Sequence, residues 1–114
     1  MARGARSSVD QRMDPRLVVE GAWIEIDGRR FGVRDVSLSG VRIQPYDGAH
    51  AVGASFSFQL HLPDLDKMEV VINGGAVVVR LARSEMAAQF FYLDADQYPA
   101  FDAYIDRRFS AKTS

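Results

Sequence analysis

The sequence predicts a mainly β domain: an antiparallel sheet of six or seven short strands, closed into a small barrel and finished by one C-terminal helix. Three observations predict it. Apolar residues recur with a period of two in short runs. Gly, Pro, Asp and Asn separate those runs with no helix between them, so neighbouring strands pair antiparallel. The period changes to that of a helix only after Asp94.

Taken in order, residues 1–11 are small, polar and basic, and read as a flexible arm. Pro15 keeps Asp14 extended and argues against a helix across RMDPR. LVVEGAWIEID (17–27) is rich in β-formers and reads as a strand. Asp27-Gly28 is a hairpin signal, with RRFGVRDVS (29–37) as the returning strand. SLSG breaks the pattern, and VRIQP (41–45) resumes it. PYDGAHAVGA (45–54) is a loop. In SFSFQLHL (55–62), Phe56, Phe58, Leu60 and Leu62 face one side, and Ser55, Ser57, Gln59 and His61 the other. PDLDK (63–67) is a turn. Gly74-Gly75 marks either a tight hairpin or a bend in one long strand, and MAAQFFYL (86–93) is the last strand. The following segment places Phe101, Tyr104, Ile105 and Phe109 on one helical stripe. Asp96 is the expected N-cap, and Pro99 falls in the first turn, where it is tolerated.

With 114 residues, 47% of them apolar, the chain suffices for one domain. Its formal net charge of −1 does not argue for nucleic acid. The distribution is uneven. Residues 1–43 hold eight arginines against six acids; residues 44–114 hold six basic residues against nine acids. The absence of cysteine removes disulfides, thiol nucleophiles and thiolate metal sites. MARGARSSVDQR lacks the apolar core of a signal peptide, and no apolar run reaches the roughly 18–20 residues of a membrane span. The expectation is a soluble, cytoplasmic protein with no membrane insertion.

Catalysis is not expected. His50 and His61 read as surface histidines, and Ser37 and Ser39 have no elbow or positioned base. Asp64, Asp66, Asp94 and Asp96 read as turn and cap residues. Asn73-Gly74-Gly75 does not lead into a helix, so it is no phosphate loop. Trp23 could stack on a base or fill the core or barrel rim. Phe90, Phe91 and Tyr92 are expected to pack on the core and the helix. Arg29 and Arg30 are taken as solvated.

Binding chemistry remains. Arg12 and Arg16 stand four apart on the lead-in to the first strand. Asp35, Ser37 and Gly40 stand at the break of the second. One set offers bidentate donors; the other offers a carboxylate, a hydroxyl and a closely approachable backbone. A ligand with phosphates and purine edges matches both. Guanine suits it, because N7 and O6 accept an arginine fork while N1–H and N2–H₂ donate to a carboxylate.

At R-M-D-P-R (12–16) and D-V-S-L-S-G (35–40) the chain resembles the PilZ domain, whose paired signature is RxxxR followed by [D/N]xSxxG. The resemblance covers about residues 11–109 and implies a six-stranded antiparallel β-barrel with a C-terminal helix. It places the domain at 12–109, between the arm 1–11 and a flexible tail 110–114. It implies a bacterial receptor for cyclic di-GMP with no cofactor and no enzymatic activity, which signals to an unidentified effector protein in motility or biofilm regulation. Arg12 and Arg16 would clamp phosphates and guanine from a loose arm that orders on binding. Asp35 would accept from guanine, Ser37 would bond the ligand, and Gly40 would let the strand pass close to it. Arg42 follows the motif and is a further candidate, facing the same side or solvent. Gln11 departs from the arginine that many members carry there, which points to lower affinity or to one ligand molecule instead of a stacked pair. Two other readings stand beside this one. A PilZ-like adaptor would act through protein contact alone, although such adaptors usually have degenerate motifs. A small OB-like barrel for single-stranded nucleic acid would need the basic strand face that SFSFQLHL lacks.

Overall fold

The structure of the protein, a computed structural model, describes residues 15–63 and 69–113, with side chains as far as Phe109. Six strands close into one barrel: β1 (Trp23–Ile26), β2 (Arg29–Val36), β3 (Gly40–Ile43), β4 (Ser55–Pro63), β5 (Glu69–Ala82) and β6 (Glu85–Leu93). Helix α1 (Tyr98–Thr113) follows. Neighbours around the wall run β1-β2-β3-β6-β5-β4, every pair is antiparallel, and β4 pairs back onto β1 to remove the free edges. No helix among the described residues is long and apolar enough to cross a membrane.

The expected first strand is divided. Gly21 sits at φ +87, a conformation that glycine adopts at little cost, and Ala22 N–H donates back to the Val19 carbonyl at 3.2 Å. This turn separates β1 from a lead-in that meets β2 at a Leu17–Val36 bridge. Asp27-Gly28 makes the hairpin, with φ of 52 and 80 at its two residues and Ile26 facing Arg29. Gly74-Gly75 is a bend within β5: the β5–β6 register shifts between Gly75 and Ala76. A Cβ on Gly74 would run into the Tyr92 carbonyl, and one on Gly75 into the Phe91 ring.

Alternation builds the core. Phe56, Phe58, Leu60 and Leu62 of β4 point inward with Ile24, Ile26, Val36, Val41, Ile43 and Ile72. Phe101, Tyr104 and Ile105 bury one face of α1 on them, whereas Phe109, expected on that stripe, stays 40% exposed. Tyr104 donates its hydroxyl to the Pro63 carbonyl at 2.5 Å and so ties helix to barrel.

Two boundaries differ from expectation. The Asp94 side chain accepts from Asp96 N–H at 2.8 Å, and Gln97 and Tyr98 N–H both donate to the Asp94 carbonyl at 3.0 Å, so the side chain that caps the approach to the helix is Asp94 and not Asp96. The helix also continues through Thr113, past the tail boundary expected at residue 110, because Ala111 and Lys112 are good helix formers. The arm 1–11 and most of the PDLDK turn lie outside the described residues.

Candidate functional site

The site forms where the lead-in, the end of β2 and the start of β3 meet. Between Val33 and Asp35 the β2–β3 register shifts by one residue, which makes Arg34 the extra residue of a bulge. A bulge reverses which side the following residues face. Val36 therefore turns into the core against Val41, while Asp35 comes out opposite Arg42.

Asp35 is nonetheless only 3% exposed, because arginines cover it. Arg42 Nε lies 3.0 Å from Oδ1 and 3.1 Å from Oδ2, and its Nη2 lies 3.0 Å from Oδ2. Arg16 Nη1 donates to Oδ1 at 2.7 Å. A carboxylate removed from water needs such partners. The hydrogen bond to Asp35 raises the Arg42 pKa; burial opposes this, and the charges of Asp35 and Glu85 add to it. Arg34 donates to Glu85 at 2.6 Å, with its Nε 3.9 Å from Asp35 Oδ2. Both guanidiniums on Asp35 remain partly open to solvent, at 37% for Arg16 and 30% for Arg42, so each keeps donors at the surface.

Arg16 was expected on a loose arm, but the structure holds it against the barrel. Leu17 and Val36 exchange backbone hydrogen bonds at 2.8 and 2.9 Å, and Leu17 and Val19 are core residues at 3% and 2% exposure. Burial of those two side chains fixes the residue before them. Arg12 lies outside the described residues.

Ser37 and Gly40 frame the turn. Ser37 N–H donates to the Gly40 carbonyl at 2.9 Å, and Ser39 N–H donates to Ser37 Oγ at 3.2 Å. Ser37 is 1% exposed, so its hydroxyl shapes this turn. Gly40 pairs with Gln89, and a Cβ there would strike the Ala88 carbonyl oxygen. The glycine is thus required by the approach of β3 to β6, a reason the sequence did not reveal. The turn is also fastened to β6 by Phe90 N–H donating to the Ser39 carbonyl at 2.8 Å.

Other expectations change. His61 is not a surface histidine: it is 9% exposed, stacked on Trp23 with ring centroids 3.7 Å apart, and bonded to Gln59 at 2.8 Å. Arg30 is not simply solvated but lies 3.7 Å over the Trp23 ring, and Arg29 pairs with Asp47. Trp23 is therefore covered on both faces. Phe90 packs between Phe58 and Phe101, but Phe91 and Tyr92 stand 64% and 57% exposed. Among the described residues no cluster of three His, Asp or Glu side chains could hold a metal.

No family model and no curated protein matches the chain. Its fold is similar to that of the Bacillus subtilis inhibitor of motility, MotI/DgrA, with a TM-score of 0.74 and 22% identity. The match covers 90% of this chain and 53% of that one, so the chain spans about half the length of that protein. The six-stranded barrel with its C-terminal helix is a PilZ-like fold.

Proposed function

We propose that the chain is a cyclic di-GMP receptor that signals to a partner protein through a change in its N-terminal arm. The observation that carries this reading is the bracketing of buried Asp35 by Arg16 and Arg42, beside the Ser37–Gly40 turn. The carboxylate orients two planar forks whose outer N–H groups face solvent. Phosphate oxygens, guanine N7 and O6 match those donors, and guanine N1–H and N2–H₂ match Asp35 once an arginine swings outward. Arg12 would add a third fork from the arm. Each charge-assisted hydrogen bond contributes about 1.5–3 kcal/mol, so a few of them offset the ordering of a short segment. The likeness to an inhibitor of motility supports a regulatory output.

Calorimetric titration with cyclic di-GMP, with GTP and cyclic di-AMP as controls, tests the reading. Saturable and selective binding at micromolar concentration or below is expected, and its stoichiometry reports the effect of Gln11. Folded protein that takes up no cyclic di-GMP would leave the adaptor reading instead.

A further inference from the structure

Three exposed aromatic residues stand near this site, beyond the Ser37–Gly40 turn. Phe91 and Tyr92 at the end of β6 are joined by Tyr98, 40% exposed, at the start of α1. Tyr98, Asp102 and Asp106 follow at intervals of four and form one exposed ridge along α1. Leu38, at the tip of the Ser37–Gly40 turn, sits between two grooves. One runs past Phe91, Tyr92 and Tyr98; the other is lined by Pro15, Ile105 and Phe109 with Asp102 and Asp106.

The charge of this surface is one-sided. Asp102 and Asp106 line the second groove, no Lys, Arg or His is among the described residues that line either groove, and the nearest clamp arginine, Arg16, is turned onto Asp35. Arg108 is held on the Tyr104 hydroxyl at 3.2 Å, and Arg107 lies half a turn around the helix from Tyr98. Exposed aromatics rimmed by acids suit a cationic, amphipathic occupant: arginine or lysine can stack on the rings and pair with the aspartates while apolar side chains enter the grooves.

We infer that the Leu38–Tyr98–Asp102 surface docks a basic amphipathic segment of a partner protein. This rests on the proposed receptor function for its regulation, because the groove walls belong to the clamp. Pro15 precedes Arg16, Leu38 follows Ser37, and the turn is tied to Phe90, next to Phe91. A ligand that moves Arg16 or the turn would reshape both grooves.

The test uses the full-length protein and a synthetic 18-residue amphipathic Leu/Lys/Arg peptide, with its Lys/Arg-to-Glu counterpart as control. Binding is followed by fluorescence anisotropy, and its location by amide NMR shifts. The expected result is binding of the basic peptide alone, with shifts centred on Leu38, Tyr92, Tyr98 and Asp102. Asp102→Lys/Asp106→Lys should weaken it about tenfold or more, whereas Glu20→Lys/Asp47→Lys, with the same change in net charge, should not. Equal weakening by both pairs, shifts elsewhere, or no binding would overturn the inference. So would binding that appears only in Arg3→Glu/Arg6→Glu protein, which would assign the surface to the chain's own N-terminus. Self-association in sedimentation that Asp102→Lys/Asp106→Lys abolishes would assign it to a second copy and overturn it too. Repeating the titration with cyclic di-GMP separates the two proposals. Peptide binding without any nucleotide binding keeps the surface and removes the receptor; nucleotide binding without peptide binding does the reverse.

Discussion

Asp35 and Arg42 stand directly opposite each other across the β2–β3 pair, and the Arg42 guanidinium reaches both carboxylate oxygens. Arg16 arrives from the lead-in to share Oδ1. A carboxylate thus sits between two cations, one on a strand and one on a lead-in held by the Leu17–Val36 bridge and by the burial of Leu17 and Val19. Removing it exposes the arginines to each other. Asp35→Ala should lower stability by about 1–3 kcal/mol, read as a fall in the urea midpoint at unchanged slope. Asp35→Asn, which keeps an acceptor, should cost less. An Asp35→Ala protein as stable as wild type would show that the cluster is neutral to folding.

The two arginines should separate in their effects. Arg16 is the more exposed of the two, and without it the buried Asp35 still keeps both oxygens on Arg42, so its loss should cost folding about 1 kcal/mol or less. Arg16→Ala should therefore leave the melting curve nearly unchanged while weakening cyclic di-GMP binding about tenfold or more, the loss of one charge-assisted bond. Arg42→Ala should weaken binding and lower stability as well, because Asp35 loses its two-oxygen partner. Calorimetry beside thermal melting reads both. If both variants bind as wild type does, the clamp is not the site.

Gly40 belongs to the motif that suggested a ligand, yet its backbone is pressed against β6 at Ala88. A methyl group there must push β3 from its neighbour or twist the turn. Gly40→Ala should destabilise by about 1–3 kcal/mol and shift amide resonances at Ala88 and Gln89. A variant with wild-type stability would mean that β3 and β6 separate readily.

The barrel was legible because its signals are local. Asp27-Gly28 dictates a hairpin, and the period of two in SFSFQLHL assigns the core face of β4 residue by residue. The division of the first strand was less legible, because Gly21 lies inside an apolar run that otherwise reads as one strand. Gly74-Gly75 was ambiguous by nature: two glycines permit a turn or a bend, and pairing of β5 with both neighbours across them decides for the bend. At the candidate site, the two motifs named Asp35 and Arg16, which the structure brings into contact. The bulge at Arg34 that turns Asp35 toward Arg42 was not, since nothing in RRFGVRDV marks an extra residue. His61 was misread for a similar reason. Alternation puts it on the outer face, but Trp23, in register with it across the β1–β4 pair, lies over its ring.

The helix is held by a bond that the sequence does not announce. Tyr104 is fully buried, its hydroxyl donates to the Pro63 carbonyl at the end of β4, and Arg108 Nε donates to the Tyr104 hydroxyl oxygen at 3.2 Å. Tyr104→Phe keeps the ring and its packing but leaves the Pro63 carbonyl and one Arg108 donor without this partner. A hydrogen bond of this kind contributes about 0.5–1.5 kcal/mol net, so the free energy of unfolding should fall by about that amount. The loss should be local as well as global. Amides of α1 should exchange faster than those of β4 and β5, because the barrel closes without the helix. Because α1 carries the Tyr98–Asp102–Asp106 ridge, the same variant should also weaken binding of the basic peptide while leaving cyclic di-GMP affinity within about twofold. Faster exchange spread evenly over barrel and helix would instead show that Tyr104 supports one cooperative unit, and that the ridge has no independent motion for a ligand to control.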